Sequence, residues 1–301
     1  MINLGIIGNG AQARALLDHQ APLGRFSLAA FAAGPGEAPL ATNVRPWQEV
    51  AADPAIAALL VDVSAGECAI VQAGLAAGKI IVCSPAPARS ADDLDMLHQA
   101  MIRGGGTMLP SGELTHGEAT RRGLAAMADP GFGRITSIYL AIRQPRGPGD
   151  VIADLAPEAL GFVTAAIQHD ITAVRVNAGG LFGPARDSAV ILLRSAGEAV
   201  ITIELSRCLP PSLPIASAGL GEVEIDVVGM AQAVRITPLD SAIRIHRDDG
   251  GSVQSWLNAP VLEMLRDVAA VVDGYDAAAA SLRRVARVQS LIAAIEIEVG
   301  K

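Results

Sequence analysis

The chain has 301 residues, with 31 acidic against 23 basic side chains and a formal net charge of −8. That length suits two domains rather than one, and without a concentrated basic face the chain is not expected to bind nucleic acid. Half of it is hydrophobic yet aromatic residues make up only 3%, so a large, alanine-rich aliphatic core is predicted, while no apolar run reaches the roughly 18 residues that span a bilayer.

The first half alternates strands and helices. Leu4 to Ile7 is a short apolar run ending at Gly8, which reads as a buried parallel strand. Ala11 to Gln20 follows with helical spacing at Ala13, Leu16 and Leu17. Ser27 to Phe31 is a second strand, broken by Ala33-Gly34-Pro35-Gly36. Leu59 to Val63 is a third. The helix marked by Ile70, Val71, Leu75 and Ala76 stops at Gly78, and Ile80 to Cys83 is a fourth strand, ended by Pro85. Ser90 predicts an N-cap, with Asp92 and Asp93 favoured in the first turn. The glycines at 104–106 end that helix before a fifth strand, Thr107 to Leu109. This alternation implies a doubly wound parallel sheet.

After a helix over His116 to Ala128, strands dominate. They are Ile135–Ile142, Ile171–Val176, Ala189–Leu193, Ala199–Leu205, Val223–Val228, Ala233–Ile236 and Ala242–Ile245. One helix, near Leu155 to Ile167, interrupts them. The second half therefore reads as α+β with a largely antiparallel sheet. Two helical faces close the chain, Leu262/Leu265/Ala269/Val272 and Val285/Val288/Ile292/Ile295. The boundaries predicted are 1–117 for a dinucleotide-binding domain and 118–301 for a substrate and oligomerisation domain, with the last helices free to pack back on the first.

Cys68, Cys83 and Cys208 form no CxxC pair and no disulfide framework. Cys83 sits in an apolar run and reads as a buried thiol. Met1-Ile2-Asn3-Leu4 does not read as a signal peptide, so a reducing, cytoplasmic setting is expected.

Gly8-x-Gly10-x-x-Ala13 carries the clearest chemistry. The first glycine permits a tight turn, the second lets backbone approach a pyrophosphate, and the small third residue lets helix and strand pack closely. The helix start then offers N–H groups to the phosphates. Gly8, Asn9, Gly10, Ala11 and Gln12 are the expected cofactor-binding residues of this turn. An acid should end the second strand to hold a ribose hydroxyl, but Phe31-Ala32-Ala33-Gly34 stands there and the first carboxylate, Glu37, lies beyond the break. NAD and NADP both stay open as cofactor.

Taken in order, several segments resemble the glucose-fructose oxidoreductase / inositol dehydrogenase (Gfo/Idh/MocA) family. Ala76-Ala77-Gly78-Lys79-Ile80-Ile81-Val82-Cys83 is similar to the helix end and strand before that family's Glu-Lys-Pro signature. Gly131-Phe132-Gly133-Arg134-Ile135 is similar to the turn that opens its second domain. Glu222 to Gly229, followed by Ala233 to Ile236, is similar to its Val-Gly-x-x-Gly hairpin. The resemblance implies a Rossmann domain followed by an open-faced sheet, a bound dinucleotide, a small-molecule substrate, and pairing through the sheet as a homodimer or higher homo-oligomer. It also implies site residues. Cys83-Ser84-Pro85 stands in place of Glu-Lys-Pro, which puts Ser84 and Pro85 beside the cofactor and Ser84 in the place of the family's catalytic lysine. The family's Thr-Pro pair falls near Asp62-Val63-Ser64, which makes Ser64 a cofactor contact. Asp154-Leu155-Ala156-Pro157-Glu158 stands where the family has Asp-x-Gly-x-His, which points to Asp154 and Glu158 as catalytic residues.

The blander readings stand beside these. Asp154 reads equally as an N-cap and Glu158 as a helix-start acid favoured by the dipole. His169-Asp170 reads as a loop before the next strand. Arg143, Arg146 and Arg207 can face a substrate carboxylate or be paired or solvated. Glu113 and His116 can border the cleft or cap a helix. No HExxH-type spacing supports a metal. Three functions stay open: an NAD(P)-dependent oxidoreductase with an altered site, acting on a carbonyl, hydroxyl or imine; a non-catalytic binding or partner subunit; and a lyase or isomerase that uses bound NAD transiently.

Overall fold

The computed structural model describes residues 1–18, 23–63, 65–112, 114, 117–210, 221–238, 241–247, 250–256, 260–275 and 278–300. The chain divides into two compact units, Met1–Gly112 with Val261–Gln289, and Glu113–Pro260 with Ser290–Lys301.

The first unit is a doubly wound sheet. Its parallel strands are β1 (Ile2–Gly8), β2 (Phe26–Ala32), β3 (Ala58–Asp62), β4 (Ile80–Cys83) and β5 (Thr107–Pro110), in the order β2-β1-β3-β4-β5. Its helices are α1 (Ala11–Asp18), α2 (Trp47–Ala52), α3 (Glu67–Ala76), α4 (Ala91–Gly104), α7 (Pro260–Val272) and the first part of α8 (Ala278–Val299). The strands are buried on both faces because alternate residues feed two cores. Ile7, Leu59, Val61, Ile81, Cys83 and Met108 meet α2, α3 and α4, with Leu282 and Val285 of α8. Leu4, Ile6, Leu60, Val82 and Leu109 meet Ala13 and Leu16 of α1, and Met264, Leu265 and Val268 of α7. Ser90 caps α4 by accepting from the Asp93 N–H at 3.1 Å, and Gly105, at φ +70°, closes it. The chain leaves β1 toward β2 on one side and later enters β3 on the other. The switch point lies between β1 and β3, where Gly8 pairs with Asp62. In such sheets ligands bind at the carboxyl ends of the strands, at the switch.

The second unit is an eight-stranded sheet with one open face. Its strands are β6 (Ile135–Pro145), β7 (Ile171–Gly179), β8 (Ser188–Ser195), β9 (Val200–Leu209), β10 (Glu222–Gly229), β11 (Ala233–Thr237), β12 (Ala242–Arg247) and β13 (Gly250–Ser255), ordered β13-β12-β11-β10-β6-β9-β8-β7. Every pairing is antiparallel except β6 with β9. Alternation fixes the faces: Ile138, Leu140, Ile142, Ile201, Ile203, Leu205, Ile225 and Val227 are buried. Against this sheet pack α5 (Glu118–Ala128), on β11 and β12, and α6 (Val151–Ala166), on β6, β8 and β9.

The expected fold class therefore holds for both halves. Two elements were not foreseen, α2 and β13. The N-cap of α6 is a correction: Asp150, not Asp154, accepts from the N–H groups of Ile152 and Ala153, at 2.9 and 3.2 Å.

Candidate functional site

The glycine turn sits as its spacing requires. Gly8 adopts φ +116°, and a Cβ there would lie 2.1 Å from the Asp62 carbonyl oxygen. The Gly10 N–H donates to that same carbonyl at 3.1 Å. Asn9 donates from Nδ2 to the Ala38 carbonyl at 3.1 Å, Ala11 opens α1, and Gln12 donates from Nε2 to Ser111 Oγ at 3.3 Å.

The start of α1 already holds an anion, and it belongs to the chain. Asp62 Oδ2 accepts from the backbone N–H of Gln12 at 2.9 Å and of Ala13 at 3.0 Å. Its Oδ1 lies 2.1 Å from where a Gly10 Cβ would stand, so the carboxylate rests flat on Gly10. Two N–H groups converging on one anionic oxygen, beside a glycine with no Cβ in the way, are a donor set that fits a phosphate. Burial raises the Asp62 carboxyl above its usual range despite both donors; Glu37 pushes the same way and Arg14 opposes.

The loop after β2 turns back on itself, with the Glu37 N–H donating to the Gly34 carbonyl at 3.1 Å. That turn brings Glu37 Oε2 to 2.7 Å from where a Gly34 Cβ would lie. A carboxylate therefore stands at the end of β2, contributed from beyond the break.

At the end of β4, half-buried Ser84 meets a group the sequence did not flag. The Ser84 N–H donates to Glu67 Oε1 at 2.6 Å, and Ser84 Oγ bonds Glu67 Oε2 at 2.7 Å. Glu67 opens α3 and reaches across to β4. Burial pushes its carboxyl up to about 7, against the two Ser84 bonds, with Asp62 adding repulsion. A carboxyl that titrates near neutrality, coupled to a hydroxyl at a strand end, suits proton transfer. Pro85 next to it is buried. Lysine occurs at positions 79 and 301 and nowhere else. The Lys79 ammonium is spent on the carbonyls of Asp53 and Ile56, at 2.5 and 2.6 Å, and the cation that acts on Glu67 is Arg89.

In the second unit the predicted residues are mostly engaged. Asp154 accepts from Arg207 Nη1 at 2.8 Å. Glu158 is half-buried one turn further along α6, directly after Pro157. Arg143 is bound by Glu204 at 2.8 Å and by Tyr139 Oη at 2.9 Å. Arg146 lies over the Phe182 ring, 3.9 Å from its centre. His169 precedes β7 in a loop and packs against Gly197. Ser64, Glu113 and His116 lie outside the described residues. Among the described residues there is no cluster of three or more metal-ligating side chains, and no helix is long and apolar enough to cross a membrane.

No protein-family model matches the sequence, and no curated protein does. Solved structures do match. A candidate myo-inositol dehydrogenase from Sinorhizobium meliloti 1021 superposes with a TM-score of 0.79 at 16% identity, over 100% of this chain and 98% of that one. UDP-N-acetylglucosamine 3-dehydrogenase from Acidithiobacillus ferrooxidans gives 0.78 at 14%, over 99% and 97%. Levoglucosan dehydrogenase, solved in complex with NADH, gives 0.77 at 15%, over 99% and 97%. At these identities the likeness establishes the fold. The architecture is that of the Gfo/Idh/MocA-type dehydrogenases over essentially the full chain.

Proposed function

We propose that the protein is a nicotinamide-dinucleotide-linked oxidoreductase with an altered proton-transfer site, acting on a small-molecule hydroxyl, carbonyl or imine. The observation that carries this reading is the Glu67–Ser84 pair, with a carboxyl near 7 bonded at 2.7 Å to a hydroxyl at the end of β4. Gly8, Gly10 and the N–H groups of Gln12 and Ala13 would hold the pyrophosphate, and Glu37 would accept from the adenosine ribose hydroxyls. A carboxylate there repels a 2′-phosphate, which favours NAD over NADP. A bound nicotinamide supplies or takes up the hydride. The chain's own part is the proton: Ser84 Oγ takes it from the substrate hydroxyl as its own proton passes to Glu67 Oε2. Asp154 and Glu158 belong to the second unit, which on this reading binds substrate and pairs with a second copy through its open sheet face. The first unit is the dinucleotide domain and the setting is cytoplasmic.

The test is calorimetric titration with NADH and NADPH, followed by turnover on a panel of polyols, keto acids and imines. NADH should bind more tightly than NADPH. Ser84→Ala and Glu67→Gln should each lower kcat by roughly 10²-fold or more while leaving NADH binding within a few-fold of the parent. Full turnover in both variants would remove the pair from the mechanism. A second reading, a non-catalytic binding or partner subunit, is favoured by one observation: the phosphate donors of α1 are taken by Asp62. No turnover on any of the panel, with or without dinucleotide binding, would support it.

A further inference from the structure

Resting on the dinucleotide reading above, we propose that Asp62 is a built-in competitor for the pyrophosphate seat, so that the chain holds its own cofactor site closed until that carboxylate swings away.

The argument is one of donors, space and charge. A backbone N–H carries one proton. The Gln12 and Ala13 N–H groups donate to Asp62 Oδ2 at 2.9 and 3.0 Å, and cannot fully serve a phosphate oxygen at the same time. Space is taken as well. Asp62 Oδ1 lies over Gly10, at the face where the missing Cβ lets a pyrophosphate approach backbone. The charge balance around it is unfavourable to a second anion. Glu37 from the loop after β2 and Glu67 from α3 both act on Asp62 as like charges, opposed by Arg14 of α1. Arg14 is itself held back, donating from Nε to the Asn9 carbonyl at 2.8 Å. A dianionic pyrophosphate brought beside an ionised Asp62 loses two charge-assisted hydrogen bonds and gains a repulsion.

Asp62 is also well placed to move. It is the last residue of β3, paired through its backbone to Gly8. The Gly10 N–H is held by its carbonyl and not by its side chain. Rotation of the side chain alone would free both helix donors and leave the turn in place. The lock is thus a side-chain device on an otherwise intact Rossmann turn, and a ligand has to outcompete it.

The experiment titrates the full-length parent, Asp62→Ala and Asp62→Asn with inorganic pyrophosphate and, separately, with NADH, after thermal melts confirm that each variant folds. Asp62→Ala should bind both probes about tenfold or more tightly than the parent, the ratio that one lost charge-assisted contact represents. Asp62→Asn keeps the size and loses the charge. It should fall between the two, and it carries the test if the alanine variant does not fold. A gain for pyrophosphate without a gain for NADH upholds the lock and refutes the dinucleotide reading. Parent and variants binding alike, whether tightly or not at all, overturns the lock; tight NADH binding by all three would at the same time leave the dinucleotide reading standing.

Discussion

At the scale of single residues, Glu67 couples stability to pH. Its carboxyl titrates at about 7 in the folded chain against an ordinary 4.5. A folded pKa above the unfolded one means that the native state binds the proton more tightly. The stabilisation is complete below about 4.5 and is lost as pH rises through 7. Glu67→Gln, which keeps an acceptor for the Ser84 N–H and cannot ionise, should therefore gain stability over the parent at pH 8 and not at pH 4, by about 3 kcal/mol from a shift of this size. Urea denaturation of both proteins at the two pH values checks this; parallel stability curves would refute it. The Glu67–Ser84 bond was not legible in the sequence, because it joins residues 17 apart through two different elements. The same limit hid Asp62, which meets Gln12 across 50 residues. The sequence displayed Asp62 only as a residue of the third strand, beside the position of the Thr-Pro pair, and Glu37 only as an acid on the wrong side of a glycine break. The glycine turn was legible because a Gly8 with positive φ and a Gly10 with no room for a Cβ are demands on residue type at fixed local spacing.

At the scale of elements, α6 is tied at its start by one side chain with two tasks. Asp150 Oδ1 accepts from the Ile152 and Ala153 N–H groups, and its Oδ2 pairs with Arg186 at 2.5 Å. Arg186 continues to Glu296 in α8 at 2.8 Å. Asp150→Ala should lower stability by about 1–2 kcal/mol, the range for losing an N-cap, and Asp150→Asn should recover most of that because an amide oxygen still caps. Chemical denaturation midpoints of the three proteins decide it; an asparagine variant as weak as the alanine variant would assign the loss to the ion pair instead. The cap illustrates what element reading resolves. The helix was legible from its apolar face, but its start was misplaced by four residues because both Asp150 and Asp154 are acceptable caps. Elements with clear boundaries, such as β4, β5 and α4, were legible almost to the residue. β13 was not: every one of its residues is exposed, so it lacks the alternation that marks a half-buried strand. α2 is six residues long, beginning after Pro46, which is too short for a helical period to register.

At the scale of the molecule, the open face of the eight-stranded sheet makes a specific demand. On the buried face the sheet carries isoleucine, leucine and valine. On the other, Val190, Leu192 and Val200 are 39%, 46% and 51% exposed on neighbouring strands β8 and β9. Beside them runs a band of both charge signs, with Arg143 bound to Glu204 and Arg235 bound to Asp226 at 2.7 Å. A two-fold axis brings a patch onto a copy of itself. An apolar strip meeting its own copy removes the exposed valines and leucine from water, and a band carrying both signs can face its own copy without net repulsion. The expected assembly is therefore a homodimer through this face. Leu192→Asp places a lone carboxylate and its symmetry mate in that strip, where desolvation is costly, and should shift the protein to monomer by light scattering behind size exclusion, with the far-UV circular dichroism unchanged. A parent that is monomeric at the same concentration would refute the assembly. A Leu192→Asp protein that stays dimeric would move the interface off β8 and β9.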